Sequence, residues 1–143
     1  MVCSFFGHRD APESIKTQIK QCIVNVIKDK NINTFYVGDK GKFDYMVLQE
    51  LRSLQQEHPY IKYTIILSKL PDKNDNIFCC DENNSMFPVE LEKTPPRFQI
   101  DRRNMWLINN ADIFITYVIH SWGGAAKYKE IAQKRGKCVI NLK

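Results

Sequence analysis

The sequence lacks the features that would place it in a membrane or mark it for secretion. No apolar run approaches the roughly 20 residues needed to span a bilayer. The segment that begins at Met1 has no basic stretch followed by an apolar one, as a signal peptide would. Apolar and charged residues, at 43% and 26%, are ordinary for a globular protein and exclude overall disorder. We therefore expect a soluble, cytoplasmic protein without a membrane partner.

The five cysteines follow neither the spacing of a zinc site nor that of a CxxC redox motif. Cys3, Cys22 and Cys138 lie in apolar segments, where free cysteine acts as a small hydrophobic residue. Cys79 and Cys80 are neighbours in a polar stretch, with no nearby His or further Cys to complete a metal site. The pattern is typical of a reducing compartment, and we predict neither a metal nor another cofactor.

The sequence has no dense block of lysine and arginine, although its formal net charge is +5. Scattered positive charge does not favour DNA or RNA as a partner. A mildly basic domain does suit a small ligand that carries phosphate. A small molecule is therefore the favoured partner.

Strand-like and helix-like segments alternate along the 143 residues, a length usual for one domain. Short apolar runs predict strands at 2–6, 34–37, 63–67, 113–118 and 138–142. Helical spacing of apolar residues predicts helices at 15–27, 43–57, 97–110 and 125–135. We expect an α/β fold: one Rossmann-like domain over residues 1–143, with a parallel sheet of about five strands and helices on both faces.

Residues at about 70–96 break this alternation. They hold four of the six prolines and show no sustained periodicity. We predict a long irregular loop, with a short strand or helical turn around 87–91. Such a loop is either a functional lid or a plain surface excursion.

Three glycine-containing turns follow predicted strands, at 7–9, 38–41 and 121–124. In open α/β sheets, ligands bind outside the carboxyl ends of the strands. Glycine lets backbone amides approach a phosphate there, and a helix N-terminus adds a favourable dipole. Any single turn could be only a tight turn. Together they predict a pocket for a nucleotide-derived ligand.

Three motifs in these turns resemble a known family. They are Phe5-Phe6-Gly7-His8-Arg9, Tyr36-Val37-Gly38 and His120-Ser121-Trp122-Gly123-Gly124. The chain resembles the SLOG superfamily, which includes the LOG phosphoribohydrolases and DprA-type DNA-processing proteins, and more narrowly its small bacterial YpsA-like members. The resemblance covers nearly the whole chain. It implies a bacterial or phage protein that forms a homodimer or larger homo-oligomer.

The LOG enzymes carry a phosphate motif, Pro-Gly-Gly-x-Gly-Thr-x-x-Glu, that is similar to residues 122–130. Glu130 keeps its register, and Arg103 lies where the LOG helix carries its arginine, eight residues before Ala111-Asp112. The resemblance implies Arg103 and Glu130 as the catalytic residues if the protein is an enzyme. A carboxylate can stabilise the oxocarbenium-like sugar formed when an N-glycosidic bond breaks, and a guanidinium can hold phosphate. The alternative is a structural or exposed ion pair.

The motif also departs from the LOG pattern. Ala126 and Lys127 replace its Gly-Thr pair, Trp122 replaces its proline, and Asp39 stands inside the second glycine loop. These changes suggest that the pocket is retained but that its ligand differs from that of the LOG enzymes.

For each of five further side chains, the sequence allows two roles. His8 and Arg9 could contact phosphate or ribose, or lie in a solvated turn. His120 could act as a general acid or base, or simply be hydrogen-bonded. Asp44 could bind a ribose hydroxyl or cap the second helix, and capping is favoured. Trp122 could stack on a base or pack in the core.

The leading hypothesis is a binding module for a nucleotide-derived small molecule, ADP-ribose-like or a nucleoside phosphate, for sensing or sequestration. The alternative is a LOG-like phosphoribohydrolase that cleaves a nucleoside monophosphate, and the third is DprA-like DNA binding. Loss of the Gly-Thr pair favours binding over catalysis. The predicted ligand-binding residues are Gly7, His8, Arg9, Gly38, Asp39, Gly41, Asp44, His120, Ser121, Trp122, Gly123, Gly124 and Lys127.

Overall fold

A computed structural model describes residues 1–69 and 84–143, and in these ranges six parallel strands form one sheet. The strands are β1 Val2–Gly7, β2 Thr34–Val37, β3 Lys62–Ile66, β4 Ser85–Met86, β5 Ile113–Tyr117 and β6 Cys138–Leu142. The helices are α1 Lys16–Lys30, α2 Gly41–Glu57, α3 Gln99–Asn110 and α4 Gly124–Lys134. The predicted α/β, Rossmann-like fold with a parallel sheet is confirmed.

The strands contribute side chains to two separate cores, because successive side chains of a strand point to opposite faces of the sheet. On β1, Cys3 and Phe5 belong to one core, whereas Phe6 belongs to the other. On β5, Ile115 and Phe114 divide in the same way. Strands buried on both faces read as continuous apolar runs, which is why the sequence shows no alternation there.

The helices cover the two faces in pairs. Apolar side chains of α1 and α2 fill the first core, including Ile19, Ile23 and Leu51. Leu107 of α3 and Ala132 of α4 fill the second core. Within the described part of the chain, no helix combines the length and the apolar character that crossing a membrane requires.

The sheet has one strand more than the sequence predicts. The pattern predicts about five strands, but Ser85–Met86 pairs with the outer edge of β3 as a sixth. Two residues are too short to show any periodicity, so their position beside β3 is decided by tertiary contact. The 3₁₀ turn Val89–Leu91 agrees with the predicted short element around 87–91. The earlier part of the predicted loop, with Cys79 and Cys80, lies outside the described residues.

The strand order β4-β3-β2-β1-β5-β6 places a topological switch beside β1. The chain adds strands outward on one side of β1, then returns to place β5 on the other side. Gly7 and Tyr117 pair at the carboxyl ends of β1 and β5. A crevice opens at such a switch in parallel α/β sheets, and ligands bind there.

We expect Gly7→Ala to destabilise the fold. A Cβ at position 7 would lie 2.2 Å from Cγ of the buried Phe43 ring, so the ring must shift. Overpacking of this kind costs about 1–3 kcal/mol, measurable by urea unfolding. Gly124→Ala is the matched control, because a Cβ there meets no atom within 4 Å. The contact with Phe43 is refuted if Gly7→Ala and Phe43→Leu prove additive in the double variant.

Candidate functional site

A cavity of about 440 Å³ opens at the carboxyl end of β1, between the segments that follow β2 and β5. We call it the switch-point cavity. Ten of its lining residues are sequence-predicted: Gly7, His8, Arg9, Gly38, Asp44, Arg103, His120, Trp122, Gly123 and Gly124. The other nine are Phe5, Phe6, Asp10, Lys40, Ile100, Asn104, Leu107, Ala125 and Tyr128. Its size is that of a small-molecule site.

The N-terminus of α4 opens into this cavity. Gly123 precedes the helix with φ of 94°, a left-handed conformation that favours glycine. No side chain caps this helix, and its first turn has no acidic residue. The Lys127 N–H donates to the Gly123 carbonyl at 3.1 Å, so the N–H groups of 124–126 precede the first intrahelical bond. Such an end is suited to bind an anion.

A buried ion pair forms the floor of the cavity: Arg103 lines the cavity, and Asp39 lies beneath it. Arg103 of α3 is 3% exposed, and its Nη1 donates to Asp39 Oδ1 at 2.7 Å and to the Ile66 carbonyl at 3.2 Å. Its Nε donates to Asn104 Oδ1 at 2.8 Å. Asp39 Oδ2 accepts the backbone N–H and the hydroxyl of Ser68 at 2.9 and 3.1 Å. The network ties α3 to the ends of β2 and β3.

A second carboxyl group, Asp44, lies beside this ion pair. It is 7% exposed and lies in the first turn of α2, where its Oδ2 accepts the N–H of the N-cap residue, Lys40, at 3.2 Å. Asp44 Oδ2 and Arg103 Nη1 both crowd Gly38, where a Cβ would lie 2.5 and 2.7 Å from them. Burial raises the pKa of Asp44 to about 6, despite the opposing effect of Arg103.

Three aromatic rings stack along the rim of the cavity. The His8 and His120 rings lie 3.7 Å apart, and the His120 and Trp122 rings 3.9 Å apart, all nearly parallel. His8 Nε2 accepts the Ile119 N–H at 3.0 Å, so His8 is neutral in this arrangement. Burial and the neighbouring His120 lower the pKa of His8, which favours that neutral form. The outer ring, Trp122, is 69% exposed and presents a free face.

Four predicted ligand-binding residues do not line this cavity. Asp39 lies beneath it as the partner of Arg103, and Gly41 packs against Arg9. Ser121 lines a separate surface depression. Lys127 forms an exposed ion pair with Asp101 at 3.1 Å.

The structure does not bring Glu130 and Arg103 together. Glu130 is exposed on α4, pairs with Lys134 at 3.0 Å and lines the same depression as Ser121. Arg103 is buried in the switch-point cavity with Asp39 as its partner. Neither the predicted catalytic pair nor the alternative ion pair between these two residues forms. Glu130 keeps its position in the LOG-like motif, but it does not lie on the side of α4 that faces the cavity.

Sequence reasoning missed several cavity residues, and two of them had a usable signal. Asn104 follows Arg103 directly and accepts its Nε–H. Tyr128 lies four residues after Gly124, hence on the same face of α4, and donates its hydroxyl to Asp101. Burial and that hydrogen bond raise the pKa of Tyr128. Ile100 and Leu107 carried no signal beyond helical periodicity.

Comparison with known proteins adds no family assignment. No family model matches the sequence, and no curated protein matches it. The function therefore has to be inferred from the site itself.

We expect Asp39→Asn to destabilise the protein by about 3–5 kcal/mol, because it leaves the buried Arg103 charge without its partner. Urea unfolding measures the change. Asp29→Asn, at an exposed position of α1, should stay within about 0.5 kcal/mol of wild type. Equal effects of the two variants would show that the ion pair does not hold the floor together.

We also expect a pH-dependent difference between wild type and Asp44→Asn. The folded pKa of about 6 exceeds the ordinary 3.8, so the folded state holds this proton more tightly than the unfolded state. The resulting stabilisation is full below pH about 4 and is lost as pH rises to about 6. Over this window, wild type should lose up to about 3 kcal/mol relative to Asp44→Asn. Parallel stability curves from pH 4 to 7 would contradict this.

Proposed function

We propose that the switch-point cavity binds a nucleotide-derived small molecule, ADP-ribose-like or a nucleoside phosphate, for sensing or sequestration. The observation that carries the proposal is the uncapped N-terminus of α4, which opens into a cavity at the strand switch. Phosphate is the anion that such a helix end in a parallel α/β sheet commonly receives.

The charges around the cavity support a phosphate-bearing ligand. Arg9 and Lys40 line the cavity, and Arg9 is exposed, so its charge is open to a ligand. Gly124 leaves open space next to the first N–H groups of α4. Backbone amides, a helix dipole and nearby cations together favour a phosphate group over a neutral ligand.

The aromatic stack supports a nucleobase. Trp122 presents a free face, and its other face is held by His120, which in turn rests on His8. His120 Nδ1 donates to the Trp122 carbonyl at 2.8 Å, and this hydrogen bond orients the His120 ring against Trp122. An exposed indole at a cavity rim can stack on a base through its open face.

We propose that the protein belongs to the SLOG superfamily, because residues from the three motifs that resemble this superfamily line one cavity. Gly7, Gly38 and Gly123 come from three separate turns, and all three line the switch-point cavity. The cavity volume of about 440 Å³ favours a small molecule over a DNA strand. A cytoplasmic location and a homo-oligomeric state remain proposals that rest on the cysteine pattern and on the resemblance.

The phosphoribohydrolase alternative has less support. LOG-type chemistry needs the arginine and the glutamate at one substrate, whereas Glu130 lies outside the cavity that Arg103 lines. We therefore favour ligand capture without cleavage by this pair.

Gly124→Asp tests the proposal. The new carboxylate would occupy the first turn of α4, where a negative charge stabilises a helix by about 0.3–1 kcal/mol and repels phosphate. We expect unchanged or higher thermal stability, and affinity for nucleoside phosphates or ADP-ribose weakened about tenfold or more, measured by calorimetry. Gly124→Asn is the matched neutral control.

Two outcomes would contradict the proposal. One is that wild type binds no member of a panel of nucleoside 5′-monophosphates and ADP-ribose. The other is that Gly124→Asp and Gly124→Asn bind the panel equally well.

A further inference from the structure

The floor of the switch-point cavity holds one more acidic group than basic groups. Asp39, Asp44 and Arg103 are its buried charged side chains among the described residues, and none is more than 7% exposed. Arg103 Nη1 is 2.7 Å from Asp39 Oδ1, so its charge is already paired. When Asp44 is ionised, these three buried side chains therefore carry a net charge of −1.

The two carboxyl groups also differ in their hydrogen bonds. Asp39 accepts the guanidinium on one oxygen and two donors from Ser68 on the other. Within residues 1–69 and 84–143, the donor to Asp44 is the Lys40 N–H, on Oδ2. A carboxylate can accept about four hydrogen bonds, so Asp44 has acceptor capacity left. It lines the cavity, where a ligand can supply the missing donors.

A neutral donor fits this position better than a cation. Arg103 Nη1 and Asp44 Oδ2 lie against the same side of Gly38, and Arg9 lies close enough to lower the pKa of Asp44. A cationic ligand group would meet these two guanidinium groups. A pair of hydroxyl groups would donate to the carboxylate without that repulsion.

We infer that Asp44 receives the ribose hydroxyl groups of the bound ligand, so that the cavity selects ribonucleotides over deoxyribonucleotides. This rests on the proposed function, in which the phosphate lies at α4 and the base at Trp122. The ribose joins phosphate to base, and Asp44 lines the same cavity as Trp122 and Gly124. Asp44 is then the residue that determines sugar specificity.

The first test uses the wild-type protein alone. Calorimetry compares AMP, GMP, CMP and UMP with their 2′-deoxy and 3′-deoxy counterparts at pH 7. For the ribonucleotides that bind, we expect at least one deoxy form to bind about tenfold more weakly, since a site built to accept from a hydroxyl loses that bond. Equal affinity for all three sugars would overturn the inference and leave the proposed function standing. Absence of binding both to these nucleotides and to ADP-ribose would overturn both, and binding to ADP-ribose alone would overturn the inference that the cavity selects ribonucleotides.

The second test assigns the selectivity to Asp44. In Asp44→Asn the preference for ribose should fall to about threefold or less, mainly because the ribonucleotide binds more weakly. Asp29→Asn, at its exposed position on α1, should keep the full preference. A preference that survives intact in folded Asp44→Asn would overturn the assignment.

A pH series gives an answer even if Asp44→Asn does not fold. Asp44 faces Arg9, Asp39, Lys40 and Arg103, and its pKa of about 6 means that it ionises between pH 5 and 7. Because an ionised carboxylate is the stronger acceptor, the preference for ribose should increase over that range. A merely structural role would affect ribose and deoxyribose forms alike. A ratio of affinities that stays constant from pH 5 to 7 would count against Asp44.

Discussion

The buried ion pair between Arg103 and Asp39 is the interaction on which the cavity depends. Arg103 reaches from α3 across the ends of β2 and β3, where Asp39 and the Ile66 carbonyl accept its hydrogen bonds. A guanidinium buried to this degree costs several kcal/mol of solvation unless it is paired and hydrogen-bonded. Asp39 supplies the pairing, and Ser68 holds Asp39 in turn. The helix is therefore held over the sheet at the edge where the strands end.

The same pairing shapes what the cavity can bind. Because Asp39 neutralises Arg103, Arg103 is a positioning residue for the floor. Asp44 is the second carboxyl group there, and it is not paired with a buried cation of its own. At the other side of the cavity, the open end of α4 carries a partial positive charge. The cavity is thus electrostatically polar, with an anion site at the helix end and a hydrogen-bond acceptor at the floor. A phosphorylated ribose presents complementary groups to both.

The glycines divide by physical role once their surroundings are known. Gly7 makes room for the Phe43 ring, and Gly38 makes room for Asp44 and Arg103. Gly124 has open space beside it, which a ligand can enter. All three look alike in the sequence, where each follows a predicted strand. Only the neighbours of the missing side chain distinguish a packing glycine from one that faces a ligand.

Sequence periodicity was enough to predict the parallel α/β fold, because buried strands and amphipathic helices leave local patterns of apolar residues. The glycine turns that follow the predicted strands also indicated part of the cavity, since the carboxyl ends of parallel strands meet at one edge. The sequence could not show that Glu130 lies away from Arg103, because the rotation of α4 about its axis depends on packing against β1 and β5. It could not pair Arg103 with Asp39, 64 positions apart, or detect a two-residue edge strand. Local pattern determined the elements and their ends; long-range packing decided which charges meet at the floor and which face solvent.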